Sequence, residues 1–325
     1  MRQFFSIVVA LLLGGAAVGG VRTLSVPPPA GPVVAAQSAA LFVGVREFPY
    51  DTGLAEVQYA VDDAVDLAHV LAIDPKTRLV DPRRVVLALS GEPQKAESRQ
   101  RLETLVAGGA TIRGAAQPDV LTLLQEQARA VGPNGVLVVA FATHGVSIDG
   151  TQYLLTASSL LQHRETGIAE TKVREIVSRM GVPRSLILLD ACRERLTSDV
   201  RSVDPRSAAA AMRLIGDING QVVFSAAAAG DYAYDDTDRG NGVFTAAVID
   251  GLQCRAATDS EGFVTVDTLS SYVEEQVLTW VRRNRDPDAS RATQLHCEGR
   301  SRKMPLLQCP KRISDRAQAF PPRAP

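Results

Sequence analysis

Residues 136–145 read VLVVAFATHG, and residues 186–192 read LILLDAC. Each stretch is an apolar run followed by a residue of a type that acts in catalysis, His144 in the first and Cys192 in the second. Continuous apolar runs of this length are typical of strands buried on both faces of a parallel sheet. Because neighbouring parallel strands end at the same rim of a sheet, the two runs predict that His144 and Cys192 meet there.

Strands and helices alternate on both sides of these two runs. Further short apolar strands are predicted at residues 40–45, 84–89 and 221–225. Apolar residues recur at helical spacing over residues 57–71, 118–131, 171–180 and 265–283. In the first of these helices Asp62, Asp63 and Asp66 lie opposite the apolar side. The alternation predicts an α/β fold, with a mostly parallel sheet and helices on both faces.

A cysteine beside a histidine can form a nucleophile. The thiolate is the reactive form of cysteine, and an imidazole can stabilise it and later protonate a leaving amine. Gly145, directly after His144, leaves room for a substrate, and its N–H together with that of Cys192 is a candidate oxyanion hole. Either residue alone, after an apolar strand, would more often be structural. The two together indicate thiol catalysis.

The chain resembles the caspase-like peptidases, and in particular the bacterial metacaspase (orthocaspase) type. The resemblance rests on the His-Gly pair at 144–145 and on Asp-Ala-Cys-Arg at 190–193. It extends over residues 40–251, through the outer stretches ALFVGVREFPY, AVDDAVDLAHVL and VVFSAAAAGDYAYDD. The resemblance implies a caspase-type sheet with flanking helices and endopeptidase activity from His144 and Cys192. Cys192 lies 48 residues after His144, close to the caspase spacing.

The resemblance also implies a substrate preference. Metacaspases cleave protein or peptide substrates after Arg or Lys, using acidic residues, and one of these lies two residues before the nucleophile, where this chain has Asp190. A second acid would come from Asp231, Asp235 or Asp236, and a carboxylate that meets a guanidinium in two-pronged fashion gives a strong contact. The alternatives are a structural role for Asp190 at its strand end and a solvated loop for the later acids.

Other functions stay open at this point. The main alternative is a caspase fold that has lost catalysis and serves as a binding or regulatory module. A second is another thiol enzyme, such as an amidase or transferase. No Gly-x-Ser-x-Gly elbow, phosphate-binding loop or His-Glu-x-x-His zinc motif is present. Calcium dependence is common among metacaspases, so calcium is a candidate cofactor, although the sequence has no ordered ligand loop of the EF-hand kind. No other cofactor and no metal site is expected.

Composition limits the partners. The chain has 325 residues, of which 46% are hydrophobic, and a formal net charge of −1. That charge gives no field to hold nucleic acid, so nucleic-acid binding is not expected. The oligomeric state does not follow from the sequence.

Composition also divides the chain. Residues 1–21 are predicted to form a signal peptide or an uncleaved membrane anchor, because Arg2 precedes a charge-free apolar run. A Pro-rich linker is predicted at 22–38, the catalytic domain at 39–251, a helical extension packed on it at 252–311 and a disordered tail at 312–325. The protein is therefore expected to be exported, either released into a periplasmic or extracellular space or anchored to the membrane.

Four cysteines fit an exported protein. If Cys192 is a working thiol, at most one disulfide forms among Cys254, Cys297 and Cys309, and loop closure favours the pair Cys297 with Cys309. Between the nucleophile and the next strand, several arginines offer sites for limited autoprocessing; the alternative is a simple connector. They include Arg195, Arg201, Arg206 and Arg213.

Overall fold

The structure, a computed structural model, describes residues 31–148, 150–191, 194–195, 220–226, 233–290, 293–296 and 299–310. The predicted leader 1–21, the tail 312–325, Cys192, Asp231 and most of the segment predicted to be autoprocessed lie outside these residues. Within the described part of the chain, no helix is both long enough and apolar enough to span a bilayer.

The regular elements follow the predicted alternation. The strands are β1 (Ala39–Val45), β2 (Val85–Ser90), β3 (Thr111–Gly114), β4 (Leu137–Ala142), β5 (Gly145–Ile148), β6 (Thr151–Leu154), β7 (Ile168–Ala169), β8 (Ser185–Asp190), β9 (Glu194–Arg195), β10 (Gln221–Ser225), β11 (Asp235–Asp236), β12 (Asn241–Gly242), β13 (Phe263–Thr265), β14 (Gln294–His296) and β15 (Pro305–Gln308). The helices are α1 (Ala60–Ala72), α2 (Ala96–Ala107), α3 (Gln117–Ala130), α4 (Glu170–Arg179), α5 (Val243–Asp250) and α6 (Val266–Asn284).

The central sheet has seven strands in the order β14-β10-β8-β4-β1-β2-β3. All neighbours are parallel except β14, which runs antiparallel to β10 at the edge. Helices cover both faces, as the sequence predicts. In β4, Val138 and Ala140 face the layer of α1, α5 and α6, while Val139 and Phe141 face α3 and α4. The α/β fold class is therefore confirmed.

Smaller sheets lie around the carboxyl ends of the central strands. One has the order β7-β6-β5-β9 and begins directly after His144, and β11 pairs with β12 in a short hairpin. The first sheet follows the end of β4, and Gly242 of β12 lies against Asp190 at the end of β8. Backbone hydrogen bonds within these sheets therefore hold the chain at this rim.

The folded unit extends to the N-terminal side of Ala39, where the sequence pattern places its start. The buried Arg184 side chain donates to the Gly31 carbonyl at 2.7 Å and to the Asn134 carbonyl at 2.6 Å. The Val34 N–H also donates to the Asn134 carbonyl, at 3.0 Å. A buried guanidinium needs acceptors for its N–H groups, and the Gly31 carbonyl supplies one of them, while Val34 ties the same segment to Asn134.

The C-terminal extension carries strands as well as the predicted helix, and a disulfide closes it. Cys254 is bonded to Cys309 with their α-carbons 5.8 Å apart, so the expected pairing of Cys297 with Cys309 is wrong. The expectation counted only loop closure. A loop of 55 residues rather than 12 costs only about 1.3 kcal/mol more. In the folded chain β15 pairs with β13, which holds Cys309 within bonding distance of the kink at Cys254.

Candidate active site

His144 lies at the rim where β4 and β8 end side by side. The Thr143 N–H donates to the Asp190 carbonyl at 3.1 Å, which ties the two strand ends together. After Asp190 the described chain continues to the buried Ala191, directly before Cys192. The shared rim predicted from the sequence is therefore present. Cys192 itself lies outside the described residues, so its pairing with His144 stays a prediction.

The backbone around His144 is fixed by the neighbouring strand β6 and the residue after it. The Thr143 hydroxyl donates to the Leu155 carbonyl at 2.7 Å, and the Leu155 N–H donates to the His144 carbonyl at 2.9 Å. Gly145 is buried and opens β5, where it pairs with Leu154. The hydroxyl of Thr143 therefore takes part in positioning the histidine, and the oxyanion role of Gly145 stays a prediction.

Two contacts orient the imidazole of His144. Its Nε2 lies 2.9 Å from the carbonyl oxygen of Ala55. Because a carbonyl oxygen only accepts, Nε2 must carry the proton, which leaves Nδ1 as the basic nitrogen of the neutral ring. The ring also stacks on Phe48, with centroids 5.3 Å apart and planes 26° apart. The histidine is thus held in one tautomer, with Nδ1 able to exchange a proton.

Two buried carboxylates meet beside this rim. A β-carbon added to Gly242 would lie 2.9 Å from Oδ2 of Asp63 and closer still to Oδ2 of Asp190. Asp63 accepts hydrogen bonds from the Asn241 side chain at 2.9 Å and from the Gly242 N–H at 3.0 Å. Asp190 accepts from the hydroxyl of Thr245 at 2.7 Å and from its N–H at 3.1 Å. These donors are neutral, so they do not cancel either charge.

The charges of these acids affect one another. Burial raises the pKa of Asp63 well above its ordinary value, and the like charge of Asp190 adds to the rise. Burial also raises the pKa of Asp190 to about 6. Asp235 is exposed in β11, opposite Gly242. Its pKa is raised because the carboxylate loses part of its solvent, and nearby His144 offsets part of that rise. Asp63, Asp190 and Asp235, which we call the acidic cluster, lie around Gly242, and Asp235 is close enough to His144 to interact with it. Three acids at one place favour the binding of a cation.

Asp66, another buried acid of α1, differs from Asp63 and Asp190 in its partners. Asp66 is bonded to Lys95 Nζ at 2.5 Å and to Arg101 Nη1 at 2.8 Å, so two cations neutralise it. Among the residues that the structure describes, no lysine or arginine bonds to Asp63 or Asp190. A buried charge is normally paired, so the acidic cluster has capacity for a cation from outside the described chain.

Sequence reasoning missed Asp63. The helical pattern set Asp62, Asp63 and Asp66 on a polar face opposite the apolar side, whereas all three are buried, at 0%, 4% and 1% exposure. A signal was present: apart from His69, α1 has no polar residues other than these acids, which is unusual for a solvent-facing side. A helix that is otherwise apolar all round is a buried helix, and its acids then need partners.

Asp236 is placed apart from the acidic cluster. Its Oδ1 accepts from the Asp238 N–H at 3.1 Å and from the Arg239 N–H at 3.4 Å, which closes the turn between β11 and β12. Its carboxylate therefore stabilises the hairpin that carries Asp235. Asp231, the remaining candidate, lies outside the described residues.

The described residues contain no group of three or more His, Cys, Asp or Glu side chains arranged to hold a metal ion.

Comparisons with known proteins agree with the fold. The family model described as caspase domain matches residues 37–312. The fold is similar to the crystal structure of caspase-1 from Spodoptera frugiperda, with a TM-score of 0.53 and 14% sequence identity over 82% of this chain and 88% of that one. At this identity the likeness concerns the fold alone. No curated protein sequence matches the chain.

Proposed function

The chain belongs to the caspase family, and on that premise we propose that it is a cysteine endopeptidase in which Cys192 is the nucleophile and His144 the acid and base. The Cys192 sulfur attacks the peptide carbonyl carbon, and the carbonyl π electrons move onto oxygen. When the tetrahedral intermediate collapses, the C–N bond breaks and the imidazolium of His144 gives its proton to the leaving amine. The same imidazole then takes a proton from water, whose oxygen bonds to the thioester carbon; the C–S bond breaks, the imidazolium returns the proton to the Cys192 sulfur, and the acid product leaves.

The fixed tautomer of His144 supports this role. With Nε2 committed to the Ala55 carbonyl, Nδ1 is the nitrogen that takes a proton from the thiol and returns it to the amine. The protonated ring keeps its bond to the carbonyl, because an imidazolium donates from both nitrogens. The Ala55 carbonyl thereby stabilises the charged form that develops during reaction.

We propose further that cleavage follows Arg or Lys, as in metacaspases. The observation that carries this proposal is the acidic cluster beside His144, with two buried carboxylates that no described cation neutralises. A substrate guanidinium or ammonium would supply the missing charge, and the raised pKa values of Asp63 and Asp190 would fall when it binds. An acidic substrate residue at the same place would add a further like charge.

The proposed enzyme works outside the cytoplasm and needs no cofactor for its chemistry. The Cys254–Cys309 disulfide supports export, because such bonds persist in oxidising compartments. The charge-free apolar run of residues 4–21 would direct that export. The thiol and imidazole supply both nucleophile and acid, so calcium would act, if at all, on the conformation of the protein.

The test uses the full chain and three peptides that differ only in the residue before the cleaved bond. Wild type should cleave the Arg and Lys peptides and leave the Asp peptide intact, with and without calcium compared, and Cys192→Ala should be inactive. Asp63→Asn should lower kcat/KM for the Arg peptide by about a hundredfold, since it removes one partner of a buried charge pair. Asp238→Asn makes the same charge change in an exposed turn and should have little effect.

Two results would contradict the proposal. Preference for the Asp peptide would refute the assignment of the acidic cluster. Failure of Cys192 to react with a thiol-directed peptide ending in Arg would instead indicate a caspase fold without catalysis.

A further inference from the structure

Lys95 reaches the acidic cluster through a single side-chain amide. Its Nζ lies 2.6 Å from Oδ1 of Asn241 and 2.5 Å from Oδ2 of Asp66. The Asn241 side chain in turn places Nδ2 at 2.9 Å from Oδ1 of Asp63 and 3.1 Å from Oδ2 of Asp66. A chain of hydrogen bonds therefore connects the partly buried Lys95 ammonium group to a carboxylate of the proposed binding site.

The chemistry of the ammonium group fixes the direction of this chain. An asparagine amide can rotate by 180° and exchange its oxygen with its nitrogen, which occupy nearly the same volume. An ammonium group only donates hydrogen bonds, so the amide oxygen of Asn241 must face Lys95. The amide nitrogen then has to face Asp63, where it donates to the carboxylate. The opposite orientation would place the amide nitrogen against the ammonium group and the amide oxygen against the carboxylates of Asp63 and Asp66, so Lys95 and the two acids together hold the amide in this orientation.

Lys95 is itself held in place along its length. Its N–H donates to Oδ1 of Asp62 at 2.8 Å, which anchors its backbone to α1. Its aliphatic chain packs against Gly240, where an added β-carbon would lie 2.7 Å from Lys95 Cδ. Gly240 has a φ of 63°, in the left-handed region, so glycine suits this position both in conformation and in space. The side chain therefore has little freedom to leave Asn241.

We infer that Lys95 is a specificity-determining positioning residue, which locks the Asn241 amide so that Asp63 is held ready for a basic substrate side chain. This inference rests on the proposed cleavage after Arg or Lys. Lys95 does not touch the substrate in this proposal. It acts through Asn241.

A purely electrostatic role and a positioning role for Lys95 predict opposite effects of its removal on substrate binding. Lys95 is a positive charge near a site for a positive substrate, so its loss should strengthen substrate binding if charge alone mattered. If Lys95 positions the amide, its loss should weaken binding. Arg101 provides the matched control, since it also bonds to Asp66, at 2.8 Å, and no described contact joins it to Asn241.

The experiment compares Lys95→Met, Lys95→Arg and Arg101→Met in the full chain. Two measurements are made: KM and kcat on the Arg peptide, and the Kd of benzamidine as a probe of the site without catalysis. We expect Lys95→Met to raise KM and Kd about tenfold, the size expected for loss of a hydrogen bond to a charged group, with kcat within about twofold of wild type. Lys95→Arg, which keeps an obligate donor, should recover most of the binding. Arg101→Met should leave both constants near wild type or slightly lower.

Loss of Lys95 leaves Asp66 with one cation, so Lys95→Met could fold poorly. Asn241→Ala removes the same donor from Asp63 while Asp66 keeps both cations, and it should raise KM and Kd to a similar degree. If KM and Kd are unchanged or lower in Lys95→Met, the inference about Lys95 is wrong, while the proposed specificity still stands. If Lys95→Met is unfolded, the same result in Asn241→Ala decides the question. A wild-type protein that neither cleaves the Arg peptide nor binds benzamidine would overturn the proposed specificity and this inference together.

Discussion

Asp63 and Asp190 hold their carboxylates against the same glycine, Gly242, although the three residues come from α1, β8 and β12. Both acids are buried, and the donors that reach them are the neutral groups of Asn241, Gly242 and Thr245. Two like charges this close are costly in the free protein. Binding a cation at this pair of acids would relieve that cost, and this is the physical basis of the specificity that we propose.

Gly242 itself should not tolerate a side chain. Its φ is −59°, an ordinary value for alanine, so any penalty for Gly242→Ala comes from contact rather than from the backbone. The added methyl would push against both carboxylates, and we expect a loss of about 1–3 kcal/mol in unfolding free energy, together with loss of cleavage after Arg. Urea unfolding measures the first. Gly114→Ala is the control, because nothing lies within 4 Å of an added β-carbon there.

The raised pKa of Asp190 should make stability depend on pH. Asp190 ionises near pH 3.8 when unfolded and near pH 6 when folded, so between these values the folded protein binds more protons and its stability falls as pH rises. We expect Asp190→Asn, in a Cys192→Ala background, to be more stable than its parent above pH 6 by about 3 kcal/mol. The advantage should shrink towards pH 4.

Melting temperatures from pH 4 to 8 check this dependence. Asp238→Asn, an exposed acid of the neighbouring turn, should change Tm little at any of these pH values. A gain in Asp190→Asn that is the same at pH 4 and pH 7 would mean that the ionisation of Asp190 is not its cause.

The shared rim of β4 and β8 could be predicted because two local patterns specify it. Each apolar run is long enough to be a buried strand and ends at a polar residue, and parallel strands must end together. Asp63 could not be assigned in the same way. Its partners Asn241 and Gly242 lie 178 and 179 residues further along the chain, and no helical pattern reports contacts at that separation.

The disulfide shows a similar limit. Loop closure depends weakly on loop length, so it ranks cysteine pairs poorly when tertiary structure brings distant residues together. Cys254 adopts a φ of 65° at a kink after α5, and β15 ends just before Cys309. Neither the kink nor the β13–β15 pairing has a sequence signature strong enough to predict.

The stacking of Phe48 on His144 should matter for catalysis. Phe48→Leu keeps an apolar side chain of similar size but removes the flat ring against which the imidazole rests. We expect kcat on the Arg peptide to fall by about tenfold with KM nearly unchanged, because the histidine would no longer be held in one orientation. Tyr50→Ala, at a position of the same loop that is 71% exposed, is the control. An unchanged kcat in Phe48→Leu would show that the Ala55 carbonyl orients the ring without help.

The Cys254–Cys309 bond should stabilise the C-terminal extension by limiting the unfolded chain. It closes a loop of 55 residues, for which chain entropy gives about 4 kcal/mol. We therefore expect the double variant Cys254→Ala/Cys309→Ala to lose about that amount in urea unfolding, and added reductant to destabilise wild type but not the double variant. Cys297→Ala tests the pairing, because it removes a cysteine that takes no part in this bond. Equal destabilisation in Cys297→Ala would mean that Cys309 is paired with Cys297 in solution. If Cys297→Ala keeps the stability of wild type, the disulfide joins Cys254 to Cys309. That bond holds β15 beside the start of α6, in the same core layer as α1, which carries Asp63.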